Sequence, residues 1–369
     1  MKTAHLDTGR EWRGGQAQVL LLLEGLRARG HECRLLAPRG PLFAKADAAG
    51  IPVTAWRPLS EWDPGAAFAA LGAIRDARAE IVHCHSAHAH PPGAIAAWLA
   101  GVPVVVSRRV DFAVARHALS ALKYRMPVDR YLCISRGVIE AMAESGVPRE
   151  RLALVPSGVP LPPEGAAARP RGAEPELRSV IGAVPEAIVV GTVAALAPHK
   201  NHADLARAAA IVLARRPAVH FVWIGEGECR AALERQIAAL GIADRVHLLG
   251  FRADARALLG QFDVFALSSY LEGLCTSLLD AQALGVPVVA TAVGGIPDVV
   301  EHGRTGLLAP ARDPAAFAGA LEEALRDPAG ARRRADAARL TVRAFSADAM
   351  VERTLQEYDT VRRARSGRS

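Results

Sequence analysis

The sequence predicts an α/β protein with two parallel sheets covered by helices. Three observations carry this expectation. Short apolar runs alternate with helix-periodic segments along nearly the whole chain, which implies repeated β-α units with right-handed crossovers. A stretch rich in Pro, Gly, Ala and Arg, residues 156–175, separates two such series. The composition is 51% hydrophobic but only 5% aromatic, so the core is aliphatic and Ala-rich, which suits helices packed on buried parallel strands. A length of 369 residues accommodates two domains at roughly 150 residues each.

In chain order, residues 16–29 form a helix with Val19, Leu22, Leu23 and Leu26 on one face, closed by Gly30. Strands are expected at residues 31–37, 51–55, 81–84, 102–106, 130–134 and 152–155. After the Pro-rich stretch the alternation restarts with strands IVVGTV, AVHFVWIG, RVHLLG, FDVFALSS and VPVVATA. Residues 345–361 read as a helix and 362–369, RRARSGRS, as a solvated basic tail. The expected division is an N-terminal Rossmann-like domain at 1–160, a linker at 161–180, a second Rossmann-like domain at 181–345 and a terminal segment at 346–369. Two such domains would face a central cleft, with ligands at the carboxyl ends of the strands.

The net charge of +7 is either a plain solubility charge or a preference for anionic ligands or an anionic membrane surface. No basic patch is interleaved with aromatics, so nucleic acid is not an expected partner. The five cysteines at 33, 84, 133, 229 and 275 form no CxxC pair and are odd in number, which fits a reduced, cytoplasmic compartment. Cys84, Cys133 and Cys275 sit in apolar runs and read as core residues. The N-terminus lacks a signal pattern, and the longest apolar run, VLLLLEGL, is too short to span a bilayer. Any membrane contact is expected to be peripheral.

The most informative passage is SSYLEGLCTSLLDAQALG, residues 268–285. An apolar strand ends in a turn carrying Glu272 and Gly273, and a helix-like segment with Asp280 follows. A helix N-terminus is a ready anion site. A carboxylate beside it suits a ligand that has both hydroxyls and phosphates, such as a sugar nucleotide. A carboxylate at 280 among Leu and Ala needs a partner, either a diol or an arginine from elsewhere.

This passage resembles the E-x7-E signature of the retaining GT-B glycosyltransferases of family 4, with Asp280 standing where the second Glu is usual. Gly294, Gly295, Thr305 and Gly306 in AVGGIPDVVEHGRTGLLAP extend the resemblance. It implies a GT-B fold whose C-terminal helix, within 346–369, crosses back to the N-terminal domain, a donor sugar at Glu272, a nucleotide ribose at Asp280, and donor contacts from Gly273, Leu274, Gly294 and Gly295. Lys200, in VAALAPHKNH, matches one member of the family's two-cation diphosphate clamp. The other position is Ala195, so Lys200 is expected to neutralise most of the leaving group. His199 and His202 flank it as loop polar residues. Gly14 and Gly15, ahead of the first helix, match a loop that faces donor phosphates or acceptor; alone they read as a tight turn. Phe251 and Arg252 match a segment against the nucleotide base, and Gly225, Glu226 and Gly227 a G-x-G loop.

His83, His85, His88 and His90 alternate along IVHCHSAHAHPP. They lack a carboxylate partner and read as a polar strand-end loop rather than a metal site, with His85 on the acceptor or donor-sugar side. Ser107, Arg108 and Arg109 follow a strand where the family often has a His; the two arginines suit a phosphate or an anionic acceptor.

The expected function is a retaining, metal-independent transfer of sugar from a nucleotide donor, UDP- or GDP-linked, with no cofactor. The resemblance implies front-face chemistry in which the leaving phosphate takes the acceptor proton. A bacterial envelope glycan or lipid-linked acceptor at the inner membrane face follows by analogy. The alternatives are a sugar-nucleotide epimerase on the same fold and a degenerate nucleotide-sugar-binding protein. A dinucleotide dehydrogenase is disfavoured, because no GxGxxG follows the first strand.

Overall fold

The computed structural model describes residues 1–109, 118–163 and 176–366. The chain forms two compact units, Met1–Gly158 with Ala347–Ser369, and Val159–Ser346. Residues 164–175, the heart of the expected linker, lie outside the described residues. The linker does not extend to 180 as expected. Leu177–Val180 is a short helix of the second unit: Leu177 is fully buried and its N–H donates to Gln261 Oε1 at 2.8 Å.

The first unit has seven strands: β1 (Lys2–Leu6), β2 (Glu32–Ala37), β3 (Val53–Ala55), β4 (Ile81–Cys84), β5 (Val104–Arg108), β6 (Arg130–Cys133) and β7 (Leu152–Leu154). All pairings are parallel, in the order β3-β2-β1-β4-β5-β6-β7. The second unit has β8 (Ile188–Val193), β9 (Val219–Ile224), β10 (Val246–Gly250), β11 (Val264–Leu267), β12 (Val288–Thr291) and β13 (Leu307–Ala309). These are also parallel, in the order β10-β9-β8-β11-β12-β13. The order reverses at β1/β4 in one sheet and at β8/β11 in the other, and such reversal points open a crevice beyond the strand ends.

Two strands escape the sequence pattern. β1, KTAHL, carries polar residues at three of its five positions, and β13 is a three-residue LLA inside a Gly-rich loop. The first helix begins earlier than expected, Gly14–Ala28 rather than 16–29, so Gly14 and Gly15 lie in its first turn. β5 continues through Ser107 and Arg108, which therefore belong to the strand rather than follow it.

Val19, Leu22, Leu23 and Leu26 are buried, and the terminal helix Ala347–Ser366 packs on them through Met350, Val351, Tyr358 and Val361. Gly25 permits this approach, since a Cβ there would lie 2.5 Å from Val351 Cγ2. The basic segment after 361 is not a free tail over its described part. Arg362 bonds Glu80 at 2.7 Å, and Arg365 grips both oxygens of Asp129 at 3.0 Å. Cys84, Cys133 and Cys275 are buried, as is Cys33. Among the described residues no helix is long and apolar enough to cross a membrane.

Candidate functional site

In the second unit, β8 and β11 deliver Lys200 and Glu272 to the reversal point of the sheet. Lys200 ends a tight turn, Pro198–Lys200, just beyond β8. Asn201 then takes a left-handed conformation, φ +55°, which Asn tolerates better than most residues. Ser268 holds this turn by donating to the carbonyls of Lys200 at 3.1 Å and Asn201 at 3.0 Å. Tyr270 N–H adds a bond to His199 O at 2.9 Å.

Lys200 Nζ is ion-paired with Glu272 Oε2, and their side chains are only 14% and 9% exposed. Ser269 donates to the same Glu272 oxygen at 3.2 Å, and Gly295 N–H donates to the Glu272 carbonyl at 3.0 Å. One network thus joins the two expected catalytic residues and the GG loop. Gly294 beside it needs its φ of +52°. The helix Thr276–Ala283 starts three residues after Gly273 and Leu274 follows Glu272 into the core, at 7% exposure. The helix cap position is Cys275, which is buried, and the positive end of the helix follows Glu272 in the chain.

Asp280 has an arginine partner within the protein: Arg256 Nε donates to its Oδ1 at 2.7 Å. Burial raises the Asp280 carboxyl, and the Arg256 contact opposes this. Gly225 and Gly227 are required sterically, because a Cβ would sit 2.0 Å from Ala194 O and 2.4 Å from Leu196 O respectively. Phe251 follows β10 with 63% of its surface exposed, and Arg252 is held by both oxygens of Asp254 at 2.8 and 2.6 Å.

His202 is not a loop polar residue. It is buried against Trp223, ring centroids 5.3 Å apart, and burial lowers it to about 3. The residues that sequence reasoning missed in this unit are Arg256, Ser268 and Ser269. Each acts through a contact distant in sequence or through a rotamer, which leaves no periodic signal.

In the first unit the expected polar histidine loop is instead a buried cluster. His83 and His85 are 1% and 5% exposed and meet His5, which β1 brings alongside. One ring nitrogen from each lies within 4.8 Å of the others. Arg109 donates to His85 Nδ1 at 3.3 Å, which fixes the tautomers along the chain. His85 Nε2–H then donates to His5 Nδ1 at 3.0 Å, and His5 Nε2–H to Thr3 Oγ1 at 2.9 Å. His83 bonds Tyr358 OH at 2.6 Å and Ser107 Oγ at 2.8 Å. Burial lowers His5 to about 3 and takes His83 and His85 well below their ordinary value.

Every ring nitrogen of the three is therefore occupied, Arg109 presses on the group, and no carboxylate belongs to it. This donor set suits neutral, hydrogen-bonded histidines better than a divalent cation. Gly15 completes the surroundings: a Cβ there would lie 3.9 Å from Arg109 Cδ.

The sequence profile for glycosyl transferases group 1 matches residues 173–341, and that for glycosyltransferase family 4 matches residues 12–161. The UDP-Gal:alpha-D-GlcNAc-diphosphoundecaprenol alpha-1,3-galactosyltransferase of Escherichia coli is 30% identical over 67% of this chain and 67% of its own length. The lipopolysaccharide core glycosyltransferase LpsE of Rhizobium meliloti is 34% identical over 39% of this chain and 43% of its own length. Among solved structures, HepE of Anabaena in complex with UDP-glucose superposes with a TM-score of 0.86 at 22% identity, covering 98% of this chain and 100% of HepE. A glycosyltransferase from Rickettsia africae gives a TM-score of 0.83 at 16% identity over 97% and 98% of the two chains. With two parallel sheets flanked by helices and the Glu272–Lys200 network at a sheet reversal, the chain belongs to the GT-B glycosyltransferases of family 4.

Proposed function

We propose that the protein is a retaining glycosyltransferase that needs no metal ion. It would move a sugar from a UDP- or GDP-linked donor to a hydroxyl of a bacterial envelope glycan or lipid-linked acceptor. The observation that carries this reading is the convergence of Lys200, Glu272 and the N-terminal end of the helix Thr276–Ala283 at the β8/β11 reversal. Lys200 and the helix N–H groups would take the departing diphosphate, an electrostatic role that otherwise falls to a cation. Glu272 would hold donor-sugar hydroxyls, and Asp280 would offer Oδ2 to the ribose while Arg256 holds Oδ1. The leaving phosphate would accept the acceptor proton on the face it departs from. The UDP and UDP-glucose bound by HepE, and the undecaprenol diphosphate acceptor in the E. coli relative's name, support a UDP-sugar and a lipid-linked acceptor. A net charge of +7 supports peripheral contact with an anionic membrane.

The test is transfer from UDP- and GDP-sugars to a lipid-diphosphate-linked N-acetylglucosamine, with product mass and anomeric configuration read out. Transfer with retention that survives EDTA is the expected result. Inversion, or loss on chelation restored by Mn²⁺ or Mg²⁺, would contradict it. Donor turnover without an acceptor would instead favour the epimerase reading.

A further inference from the structure

The first unit contains a cavity of about 190 Å³ beyond the carboxyl ends of β4 and β5. Small-molecule clefts usually measure ~300–1,000 Å³, so this one suits a single ionic group rather than a whole sugar nucleotide. Arg108 and Arg109 reach it from β5, Lys123 and Tyr124 from the helix Ala118–Arg125, Tyr131 from β6, and His90 from the start of the helix His90–Ala100.

Its lining combines paired cations with buried polar atoms that have no partner among the described residues. Lys123 is balanced by Glu61 at 3.0 Å. Arg109 makes no ion pair with another described residue and spends its bond on the neutral His85. Three buried polar atoms face this region without a hydrogen-bond partner: Tyr131 OH, His90 Nε2 and Arg109 Nε. Tyr131 and His90 are each 1% exposed. Leaving such groups unpaired in a protein interior is costly, and all three can donate. Burial lowers Arg109 to about 10, opposed by Asp7, and lowers His90 to about 3, helped by Lys123 and Arg108. Burial is the main cause in both, and the positive neighbours of His90 keep its ring neutral at ordinary pH.

We propose that this cavity binds a phosphoryl group of the acceptor. Convergent donors on Arg109, Tyr131 and His90, with the Lys123 ammonium beside them, exceed what the two oxygens of a carboxylate would accept, and they match the oxygens of a phosphoryl group. The inference rests on the glycosyltransferase reading for the word acceptor; the binding of phosphate stands without it.

Calorimetry of the full chain with inorganic phosphate and methyl phosphate tests the site. Affinity is expected to fall at least about tenfold in Arg109→Gln and by about three- to tenfold in Tyr131→Phe, and to persist in Lys200→Ala. Acetate is expected to bind at least about tenfold more weakly than phosphate. If Arg109→Gln does not fold, Tyr131→Phe, which removes one hydroxyl, decides alone. No phosphate binding, equal affinity in wild type and both cavity variants, or acetate bound as tightly as phosphate would overturn the proposal. In a transfer assay, inorganic phosphate should compete with the acceptor and not with the donor; competition with the donor alone would also overturn it. Phosphate bound through Arg109 by a protein that binds no sugar nucleotide would end the transferase reading and leave the anion site. Sugar-nucleotide binding without phosphate binding would do the reverse.

Discussion

Lys200→Ala is expected to lose fold stability and donor turnover together. The Lys200–Glu272 pair is 14% and 9% exposed, so deleting the lysine strands a carboxylate in a mostly buried position. Removing one partner of such a pair costs about 3–5 kcal/mol. A charge-assisted contact to the diphosphate contributes roughly 1.5–3 kcal/mol to donor binding. More is lost in the transition state, where leaving-group charge grows, so kcat should fall with donor affinity. The double substitution Lys200→Met with Glu272→Gln separates the two effects. It removes both charges and should recover most of the stability while transfer stays low. Denaturant midpoints and steady-state kinetics on the three proteins provide the check. Ala195→Arg added to Lys200→Ala should restore part of the donor affinity by placing a cation on the same β8 loop. Unchanged kcat and donor KM in Lys200→Ala would make the pair purely structural and put the diphosphate elsewhere.

Stability should fall steeply between pH 7.5 and 5.5, above the range where ordinary carboxylates titrate. Burial lowers His5, His90 and His202 to about 3, and His83 and His85 well below 6.5. A histidine whose folded pKa lies below its unfolded value takes up a proton more readily when unfolded. Its stabilising contribution is therefore complete above the unfolded pKa and is lost as pH falls toward the folded pKa. One pH unit below the unfolded value, each such group costs about 1.4 kcal/mol. Four of them, His5, His83, His85 and His90, lie in the first unit, so the loss by pH 5.5 is expected to be several kcal/mol there, on the order of the ~5–15 kcal/mol that holds a typical domain together. Urea unfolding across this range should show the loss, and His5→Gln should reduce its slope by about one proton. A flat profile from pH 7.5 to 5.5 would show that these imidazoles are not held neutral.

The sheet architecture was legible wherever strands read as continuous aliphatic runs, as in IVVGTV and VHFVWI, because strands buried on both faces carry that pattern. It was illegible at β1, where Lys2, Thr3 and His5 mask the run. Missing β1 hid His5, and without His5 the alternating His83 and His85 looked like an exposed loop. In the proposed donor region, Glu272 and Lys200 stood out because strand ends and motif spacing place them, and the structure joins them by a direct ion pair. Arg256 was not, because its link to Asp280 spans 24 residues between two helices and depends on packing. Arg108 and Arg109 read from the sequence as candidates for a phosphate or an anionic acceptor, but Tyr131 looks like an ordinary core residue and His90 like a loop residue until their unpartnered polar atoms are seen together.

Thermal unfolding of the wild type and Lys200→Ala against a panel of UDP-, GDP- and ADP-sugars tests the donor site at the β8/β11 reversal most directly. A ligand at a hundred times its Kd stabilises the folded state by about 2.7 kcal/mol. One class of sugar nucleotide should therefore raise the wild-type midpoint clearly, and the same concentration should raise that of Lys200→Ala much less. No shift with any sugar nucleotide, or an equal shift in both proteins, would contradict the assignment of Lys200 and Glu272 to the donor.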